Sequence, residues 1–285
     1  MPDDRDTAAD AAAAWRSAAA AIVRGGARRV LVLGPRDAGK STFCRLLILS
    51  GHGAGRAMAL LDTDVGQKMI GPPACVTLGE PAPDGTLALS ALAFVGTSDP
   101  VRGWRPLLSA VERLADVPRA DLLVVNTGGL LSGPGPRLKA QKAALLAPDI
   151  VVAIGRDPGV DAVLGECPDL PLIRLPSSPL ARRKAEGERR AARREAFRTY
   201  FAGAREQAMS FGSLCVDDGP PPVAAARLLV GLCDASGRDL GLGLLTALEQ
   251  DAGAFTCLTP VSLQSVSRMR VGALVLDQDF SERPV

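Results

Sequence analysis

Apolar positions along this chain come in blocks. Short, nearly uninterrupted apolar runs of four or five residues recur from residue 29 onward, with longer mixed stretches between them. Runs of this length are typical of parallel strands that are covered on both faces. The pattern therefore predicts strands at Val30–Leu33, Ala57–Leu61, Leu122–Val125, Ile150–Ile154 and Leu172–Leu175.

The stretches between these runs have helical character. An alanine-rich helix is also predicted ahead of the first strand, from about Thr7 to Arg24, where Gly25 and Gly26 end it. Strands and helices that alternate in this way indicate an α/β fold with a doubly wound parallel sheet. The predicted helices after the first strand are Ser41–Ser50, Val101–Leu114, Pro136–Leu146 and Val160–Gly165.

The pattern changes after about residue 204. Short runs separated by Gly, Asp and Pro replace the long helical stretches, which predicts a small C-terminal β-rich domain. Its predicted strands are Leu214–Val216, Arg227–Cys233, Gly241–Leu245, Phe255–Leu258 and Val271–Leu276. We therefore expect an N-terminal helix in residues 1–28, the α/β domain in 29–204 and the β-rich domain in 205–285.

Composition excludes several classes of protein. The 285 residues are 47% hydrophobic and carry a net charge of only +2, so a polyanion would have to bind a local basic patch. Six cysteines without a C-x-x-C pair argue against a zinc ribbon or a disulfide framework. His52 is the only histidine, which argues against a Ser-His-Asp triad. No secretory signal or membrane-spanning run is recognisable, so we expect a cytoplasmic protein.

One motif stands out at the end of the first predicted strand. Residues 34–41 read Gly-Pro-Arg-Asp-Ala-Gly-Lys-Ser, which matches the phosphate-binding loop G-x-x-x-x-G-K-[ST] between a strand and a helix. The glycines let backbone N–H groups face phosphate oxygens, and the helix N-terminus adds its positive end. Lys40 should reach the β- and γ-phosphates, and Ser41 should bind Mg²⁺. The predicted residues for ATP, or another nucleoside triphosphate, are Gly34, Asp37, Ala38, Gly39, Lys40, Ser41 and Thr42.

Two carboxylates follow the second predicted strand, in Asp62-Thr63-Asp64-Val65-Gly66-Gln67. Residues two apart on an extended segment point the same way, so both carboxylates can face one site. One could accept a proton from an attacking hydroxyl and the other could hold Mg²⁺ through water. A plain polar turn would explain the same sequence.

The third strand, Leu122–Val125, leads into Asn126-Thr127-Gly128-Gly129. Many proteins with a phosphate loop have an aspartate at this strand end, where it holds the metal. Asn126 is neutral, so the carboxylate for Mg²⁺ should come from Asp62 or Asp64. The two glycines could also be a simple turn.

A basic run extends from Arg182 to Arg198, with eight basic and three acidic side chains and a local balance of +5. Guanidinium groups hold phosphates and neutralise charge during phosphoryl transfer. A solvated helix with Glu–Arg pairs is the simpler explanation. Helical spacing would form two stripes, one of Arg182, Arg189 and Arg193 and one of Arg183, Arg190 and Arg194.

These features together resemble the polynucleotide 5′-hydroxyl kinases, the family that includes kinases of RNA 3′-end processing and of pre-ribosomal RNA processing. The resemblance covers residues 30 to 201. It is carried by the phosphate loop, by Asp62–Gln67 followed by Gly71-Pro72-Pro73, by Phe94-Val95-Gly96-Thr97-Ser98 with Pro100, by Asn126-Thr127-Gly128, and by the arginine segment ending in Tyr200-Phe201.

The resemblance implies a phosphotransferase whose acceptor is a 5′-hydroxyl end of RNA or DNA. It makes Asp64 the expected general base beside Lys40, and makes Asp62 and Ser41 the supports of the metal. It also implies that the arginine segment is a lid. The residues expected to act on the transferred phosphate or the acceptor are Arg189, Arg183, Lys184, Arg193, Gln67, Thr127 and Gly128.

Other functions fit part of the sequence. A non-catalytic nucleotide-binding scaffold of RNA processing would share the fold and could retain the same residues. A regulatory GTPase is disfavoured because the strand Ile150–Ile154 is followed by Gly155-Arg156-Asp157-Pro158, which lacks the Asn-Lys-x-Asp pattern that selects guanine. Another nucleoside triphosphatase with a phosphate loop stays open as an alternative.

Overall fold

The computed structural model describes residues 4–116, 120–178, 181–210, 215–217, 226–249 and 254–285. The chain forms two compact units whose segments alternate along the sequence. The first unit comprises Met1–Asp64, Thr77–Ser90 and Val111–Lys184, and the second comprises Val65–Val76, Ala91–Ala110 and Ala185–Val285. The second unit therefore combines the C-terminal residues with two earlier segments.

Among the described residues, the first sheet has seven strands: β1 (Arg29–Leu33), β2 (Met58–Asp62), β3 (Cys75–Pro81), β4 (Leu87–Phe94), β5 (Leu122–Asn126), β6 (Ile150–Ile154) and β7 (Leu172–Leu175). They lie in the order β4-β3-β2-β5-β1-β6-β7. The five strands from β2 to β7 in this order pair in parallel, whereas β3 runs antiparallel to β2. The central strand β1 is buried almost throughout, as its apolar run predicts.

Between residues 4 and 178, the described residues form the helices α1 (Asp4–Arg24), α2 (Lys40–Gly53), α3 (Trp104–Leu114), α4 (Gly135–Leu146) and α5 (Pro158–Gly165). Helix α1 buries a stripe at helical spacing that includes Ala11, Trp15, Ala19 and Ile22. The Trp15 ring packs edge-on against Phe43 of α2, with 5.6 Å between the ring centroids. The predicted α/β fold built on a mostly parallel sheet is confirmed.

In the described part of the chain, the second sheet comprises the strands β8 (Arg205–Ser210), β9 (Cys215–Asp217), β10 (Leu228–Cys233), β11 (Asp239–Glu249), β12 (Ala254–Thr259), β13 (Arg268–Leu276) and β14 (Glu282–Pro284). Their order is β14-β13-β10-β11-β12-β8, with β9 beside β13. On one face, Leu229 packs with Phe197 and Phe201 of helix α6 (Glu186–Phe201). On the other, Val230 packs with Phe255. The predicted β-rich domain is confirmed.

Several predicted boundaries need correction. Helix α3 begins at Trp104, three residues after the predicted start, because the Asp99 carboxylate accepts the Val101 N–H and holds a turn there. The predicted strand Leu214–Val216 corresponds to β9, and Leu214 itself lies outside the described residues. Strands β3, β4, β8 and β14 were not predicted.

The predicted helical stripes of the basic run are wrong at their N-terminal end. Helix α6 begins at Glu186, so Arg182 and Arg183 precede it. Ala185 is extended, with φ −67° and ψ 157°, and its N–H donates to the Glu188 carboxylate at 2.8 Å. This bond satisfies an N–H just before the first turn and fixes the helix start there.

Among the helices of the described segments, none combines the length and the apolar character that a membrane span requires.

Candidate functional site

The predicted phosphate loop joins β1 to α2. Gly39 has a φ of 101°, a conformation that L side chains rarely adopt, and a Cβ there would lie 2.6 Å from the Trp15 ring. Asp37 also has a positive φ of 60°. Helix α2 then begins at Lys40, and its exposed first-turn residues include Ser41 and Thr42. The sequence thus folds as the strand–loop–helix that phosphate binding requires.

Lys40 lies over this loop. Its side chain is largely buried, and Nζ donates to the Pro35 carbonyl oxygen at 2.6 Å. The segment after β7 lies against the same loop, because the Ser178 N–H donates to the Ala38 carbonyl oxygen and the Lys184 N–H donates to the Asp37 carboxylate at 3.1 Å. Lys184 is therefore held beside the phosphate loop through its backbone, and its side chain is exposed.

Asp62 ends β2 and is fully buried. Its Oδ1 accepts hydrogen bonds from Asn126 Nδ2 at 2.9 Å and from the Asp64 N–H at 3.2 Å. Asn126 is its direct neighbour in the parallel register of β2 and β5. The neutral residue at the end of β5 thus orients the carboxylate at the end of β2.

Asp64 lies beside the turn that follows β5. A Cβ built on Gly128 would be 3.4 Å from the Asp64 carboxylate, and one built on Gly129 would be 2.6 Å from the Arg36 backbone nitrogen. The turn therefore contacts both Asp64 and the phosphate loop. Thr127 is buried, and its hydroxyl donates to the Val32 carbonyl oxygen at 2.8 Å, so that side chain holds the turn to β1.

Two lysines of α4 were missed in the sequence. Lys142 is buried and donates to the Thr63 backbone oxygen and hydroxyl, both at 3.1 Å. Lys139 is buried and donates to the Leu130 carbonyl oxygen at 2.6 Å. Burial and then the charge of Lys40 lower the pKa of Lys139 to about 8, while Asp64 opposes them. The available signal was that both lysines fall on the apolar face of a predicted helix.

The remaining predicted residues divide between the units. Arg183 precedes α6 in the first unit and is exposed. Gln67 and Arg189 belong to the second unit, where Gln67 Nε2 donates to the Arg189 carbonyl oxygen at 3.3 Å. Arg193 is held by Glu282 at 2.5 Å and by Glu186 at 3.6 Å, with only 14% of its side chain exposed.

The second unit contains a cleft of about 640 Å³. Its lining includes Arg190 and Arg194 of α6, together with Ser98, Arg102 and Ser281. The Arg190 side chain is 76% exposed and its distance to Glu186 is 3.9 Å, an ion pair of little strength in water. Arg194 pairs with Asp279 at 3.3 Å and its side chain is 43% exposed. Two solvent-exposed arginines with weak ion pairs therefore line the cleft.

Comparisons with known proteins agree with this arrangement. Residues 34–203 match the family model described as mRNA cleavage and polyadenylation factor CLP1 P-loop. The chain is 24% identical to a polyribonucleotide 5′-hydroxyl-kinase of Pyrococcus horikoshii over 99% of this chain and 92% of the relative. It is 29% identical to one of Thermococcus kodakarensis over 89% of both chains.

A solved structure is similar in fold. Clp1p in a complex with Pcf11p (454–563) superposes with a TM-score of 0.72 at 15% identity, over 92% of this chain and 78% of that one. At this identity the likeness establishes the fold.

Proposed function

Because the chain belongs to the family of the mRNA cleavage and polyadenylation factor CLP1 P-loop, we propose that it is a polynucleotide 5′-hydroxyl kinase. It transfers the terminal phosphoryl group of ATP, or of another nucleoside triphosphate, to the 5′-hydroxyl end of RNA or DNA. The observation that carries the proposal is the Asp64 carboxylate against Gly128, on the turn that also contacts the phosphate loop at Arg36. Relatives that match most of the chain are named as kinases of this kind.

The phosphate loop binds the donor in this proposal. The Lys40 ammonium exchanges its bond to the Pro35 carbonyl for the β- and γ-phosphate oxygens, and the N–H groups from Asp37 to Thr42 face the same phosphates. Gly34 begins the loop, and Ala38 and Gly39 bring the loop backbone close to the donor phosphates. The chain's own loop thus supplies both charge and hydrogen bonds to the donor.

The residues for Mg²⁺ are Ser41 and Asp62. A hydroxyl and a carboxylate are the hard oxygen donors that Mg²⁺ prefers, and the ion usually keeps several waters beside substrate phosphates. Asn126 and the Asp64 N–H fix the Asp62 carboxylate in place. The described residues hold no group of three or more His, Cys, Asp or Glu side chains suited to a metal, which fits an ion bound chiefly through the triphosphate and water. When bound, Mg²⁺ neutralises phosphate charge.

Asp64 acts as general base. It accepts the proton of the 5′-hydroxyl as that oxygen attacks the terminal phosphorus, and the bond from that phosphorus to the donor diphosphate breaks. Arg189 and Arg183 neutralise charge on the transferred group. Lys184 and Gln67 orient the acceptor end, which lies beside the Thr127–Gly128 turn. These roles follow from the family resemblance.

The cleft of the second unit binds the acceptor strand. Arg190 and Arg194 line it, and guanidinium groups pair with phosphates without reading sequence. Arg193 supports the wall, since Glu282 and Glu186 already hold its guanidinium.

The alternatives are less well supported. A non-catalytic scaffold does not require a carboxylate beside the glycine turn, and the relatives' names favour an enzyme. A guanine-selecting GTPase would need a carboxylate after β6 that is available to the base. Asp157 instead caps α5, where its carboxylate accepts the Gly159 N–H at 2.8 Å.

The decisive experiment incubates the protein with γ-labelled ATP, Mg²⁺ and matched 5′-hydroxyl RNA and DNA oligonucleotides. Label should appear at the 5′ end of at least one of them, and a Lys40→Ala protein that is folded by circular dichroism should lose the transfer. Transfer at an unchanged rate in Lys40→Ala would overturn the assignment of the phosphate loop. Absence of transfer to every 5′-hydroxyl acceptor would overturn the function.

A further inference from the structure

Lys139 is a buried cation near the phosphate loop for which the assigned chemistry has no use. It lies on α4 with 4% of its surface exposed. An ammonium has three N–H donors, and within the described part of the chain the bond to the Leu130 carbonyl oxygen is the hydrogen bond that it makes. Burying an ammonium whose N–H groups lack acceptors costs free energy unless a ligand accepts those hydrogen bonds.

The surroundings of Lys139 indicate which ligand fits. The turn that accepts its bond includes Gly128, against the Asp64 carboxylate, and Gly129, against Arg36 of the phosphate loop. The charges of both Lys40 and Asp64 act on Lys139, Lys40 lowering its pKa and Asp64 raising it. In the proposed function, Lys40 binds the donor phosphates and Asp64 accepts the proton of the attacking hydroxyl. The group that passes between the donor phosphates and the attacking hydroxyl is the transferred phosphoryl group.

We propose that Lys139 is a second phosphate-binding lysine, which donates hydrogen bonds from its ammonium to the phosphoryl group as that group passes from the donor to the acceptor. The inference rests on the proposed function. Lys139 keeps its protons throughout: the phosphorus–oxygen bond to the donor diphosphate breaks, the bond to the 5′ oxygen forms, and Asp64 takes the hydroxyl proton. The positive charge of Lys139 stabilises the equatorial oxygens of the moving group.

A purely structural role would be to tie down the turn at Leu130. The start of α4 already packs there, because a Cβ built on Gly135 would be 2.4 Å from the same carbonyl oxygen. The two roles differ in what they require. Holding the turn needs one hydrogen bond, whereas binding a phosphoryl group needs a positive charge.

The kinetic test compares Lys139→Met, which removes the charge, with Lys139→Arg, which retains it. Arg137→Met is the matched control, because Arg137 is an exposed cation on the same helix. Removing one preorganised donor to a transition-state oxyanion typically lowers kcat by about 10²- to 10³-fold. We expect that loss in Lys139→Met with little change in the KM for ATP, a milder loss in Lys139→Arg, and none in the control.

The pH profile adds a readout that a structural role would not move. The pKa of about 8 at Lys139 should produce a fall in kcat/KM above that pH, as the ammonium loses its proton beside Lys40 and Asp64. The fall should be absent in Lys139→Met and should move to higher pH in Lys139→Arg. A fall that persists unchanged in Lys139→Met belongs to another group and counts against the proposal.

A binding measurement separates this inference from the proposed function. ADP with aluminium fluoride and Mg²⁺ mimics the transferred group and needs no acceptor. Lys139→Met should weaken binding of that complex while leaving the affinity for ADP unchanged. Equal affinities for the mimic in the natural protein and in a folded Lys139→Met variant would overturn the role of Lys139, whether or not any polynucleotide is phosphorylated.

Discussion

At the scale of single residues, Asp62 and Asp64 show how two like side chains acquire different chemistry. Both follow β2, but Asp62 is fully buried with Asn126 and a backbone N–H on one oxygen, whereas Asp64 is partly exposed beside Gly128. A carboxylate that is held in place by hydrogen-bond donors is suited to orient the ligands of a metal ion. A partly exposed one can meet a substrate hydroxyl.

Asp64→Asn should therefore lower turnover without weakening nucleotide binding, because an amide cannot accept the hydroxyl proton. Loss of a general base typically costs about 10²- to 10⁴-fold in rate. Steady-state kinetics with a 5′-hydroxyl oligonucleotide, and equilibrium binding of ATP, measure the two effects separately.

Asp62→Asn is the matched comparison and should raise the Mg²⁺ concentration needed for half-maximal rate. The opposite result would assign the general-base role to Asp62 and the Mg²⁺ role to Asp64. If Asp64→Asn kept near-normal turnover while Asp62→Asn abolished it at saturating Mg²⁺, Asp62 would be the base.

The glycine turn provides a second pair of neighbouring residues. A Cβ at Gly128 meets the Asp64 carboxylate at an ordinary contact distance of 3.4 Å, whereas one at Gly129 would be 2.6 Å from the Arg36 backbone nitrogen. Gly129→Ala must therefore displace the phosphate loop. Displacing a positioning group by ~1 Å costs about 10²-fold, so kcat/KM for ATP should fall by that order.

Gly128→Ala should leave ATP binding intact and raise the KM for the acceptor, because the new methyl group occupies space beside the proposed base. Titration of each variant with ATP and then with oligonucleotide measures the split. Equal loss of ATP affinity in both variants would contradict the separate contacts assigned to the two glycines.

At the scale of elements, sequence patterns predicted the strands that are buried on both faces of the sheet. The continuous apolar runs correctly predicted the strands β1, β5 and β6. Strand β4 was missed because its first half is exposed and mixed, and β8 because its sequence Arg-Glu-Gln-Ala-Met-Ser is largely polar. Their pairing with neighbouring strands, which sequence does not display, makes them strands.

The site shows the same division between local and long-range information. Local signals predicted the phosphate loop and the two aspartates, since each prediction depends on residues adjacent in sequence. Lys139 was missed because its burial depends on the packing of α4 against the turn at Leu130, and its lowered pKa depends on that burial and on the charge of Lys40 in α2. A lysine on a helix is usually solvated, so its sequence alone predicts nothing unusual.

Helix α6 is anchored at one end. Phe197 and Phe201 are buried in the second unit's core, and the Leu242 N–H donates to the Tyr200 hydroxyl at 2.8 Å, whereas the first turns are mostly exposed. If the arginine segment is a lid, its N-terminal part should move and its C-terminal part should not.

Hydrogen exchange measures this difference. In the absence of nucleotide, amides of residues 186–193 should exchange faster than those of 197–201, and Mg²⁺–ATP should slow the first group. The residues around Phe255, in the same unit's other core, are the internal control. Strong protection of residues 182–198 without nucleotide, unchanged when it is added, would contradict a lid.

At the scale of the whole molecule, a net charge of +2 gives little general attraction to a polyanion. Binding of a nucleic acid must then depend on local groups, and the cleft of the second unit concentrates them. Of its arginines, Arg193 is held by Glu282 and Glu186 with 14% of its side chain exposed. Arg190, 3.9 Å from Glu186, and Arg194, 3.3 Å from Asp279, are 76% and 43% exposed, so their ion pairs are weak in water. Affinity for the strand should therefore depend on few residues and strongly on salt.

The double substitution Arg190→Ala with Arg194→Ala should weaken binding of a 5′-hydroxyl oligonucleotide and reduce its salt dependence. Each phosphate contact to a single strand contributes about 0.7 to the slope of log K against log salt, so the slope should fall by about 1.4. Arg198→Ala is the control, because Arg198 is on the same helix, pairs with Glu195 at 2.6 Å and does not line the cleft. Activity on a nucleoside 3′-phosphate, which is too short to occupy the cleft, should persist. An unchanged slope in the double variant would mean that the strand binds elsewhere.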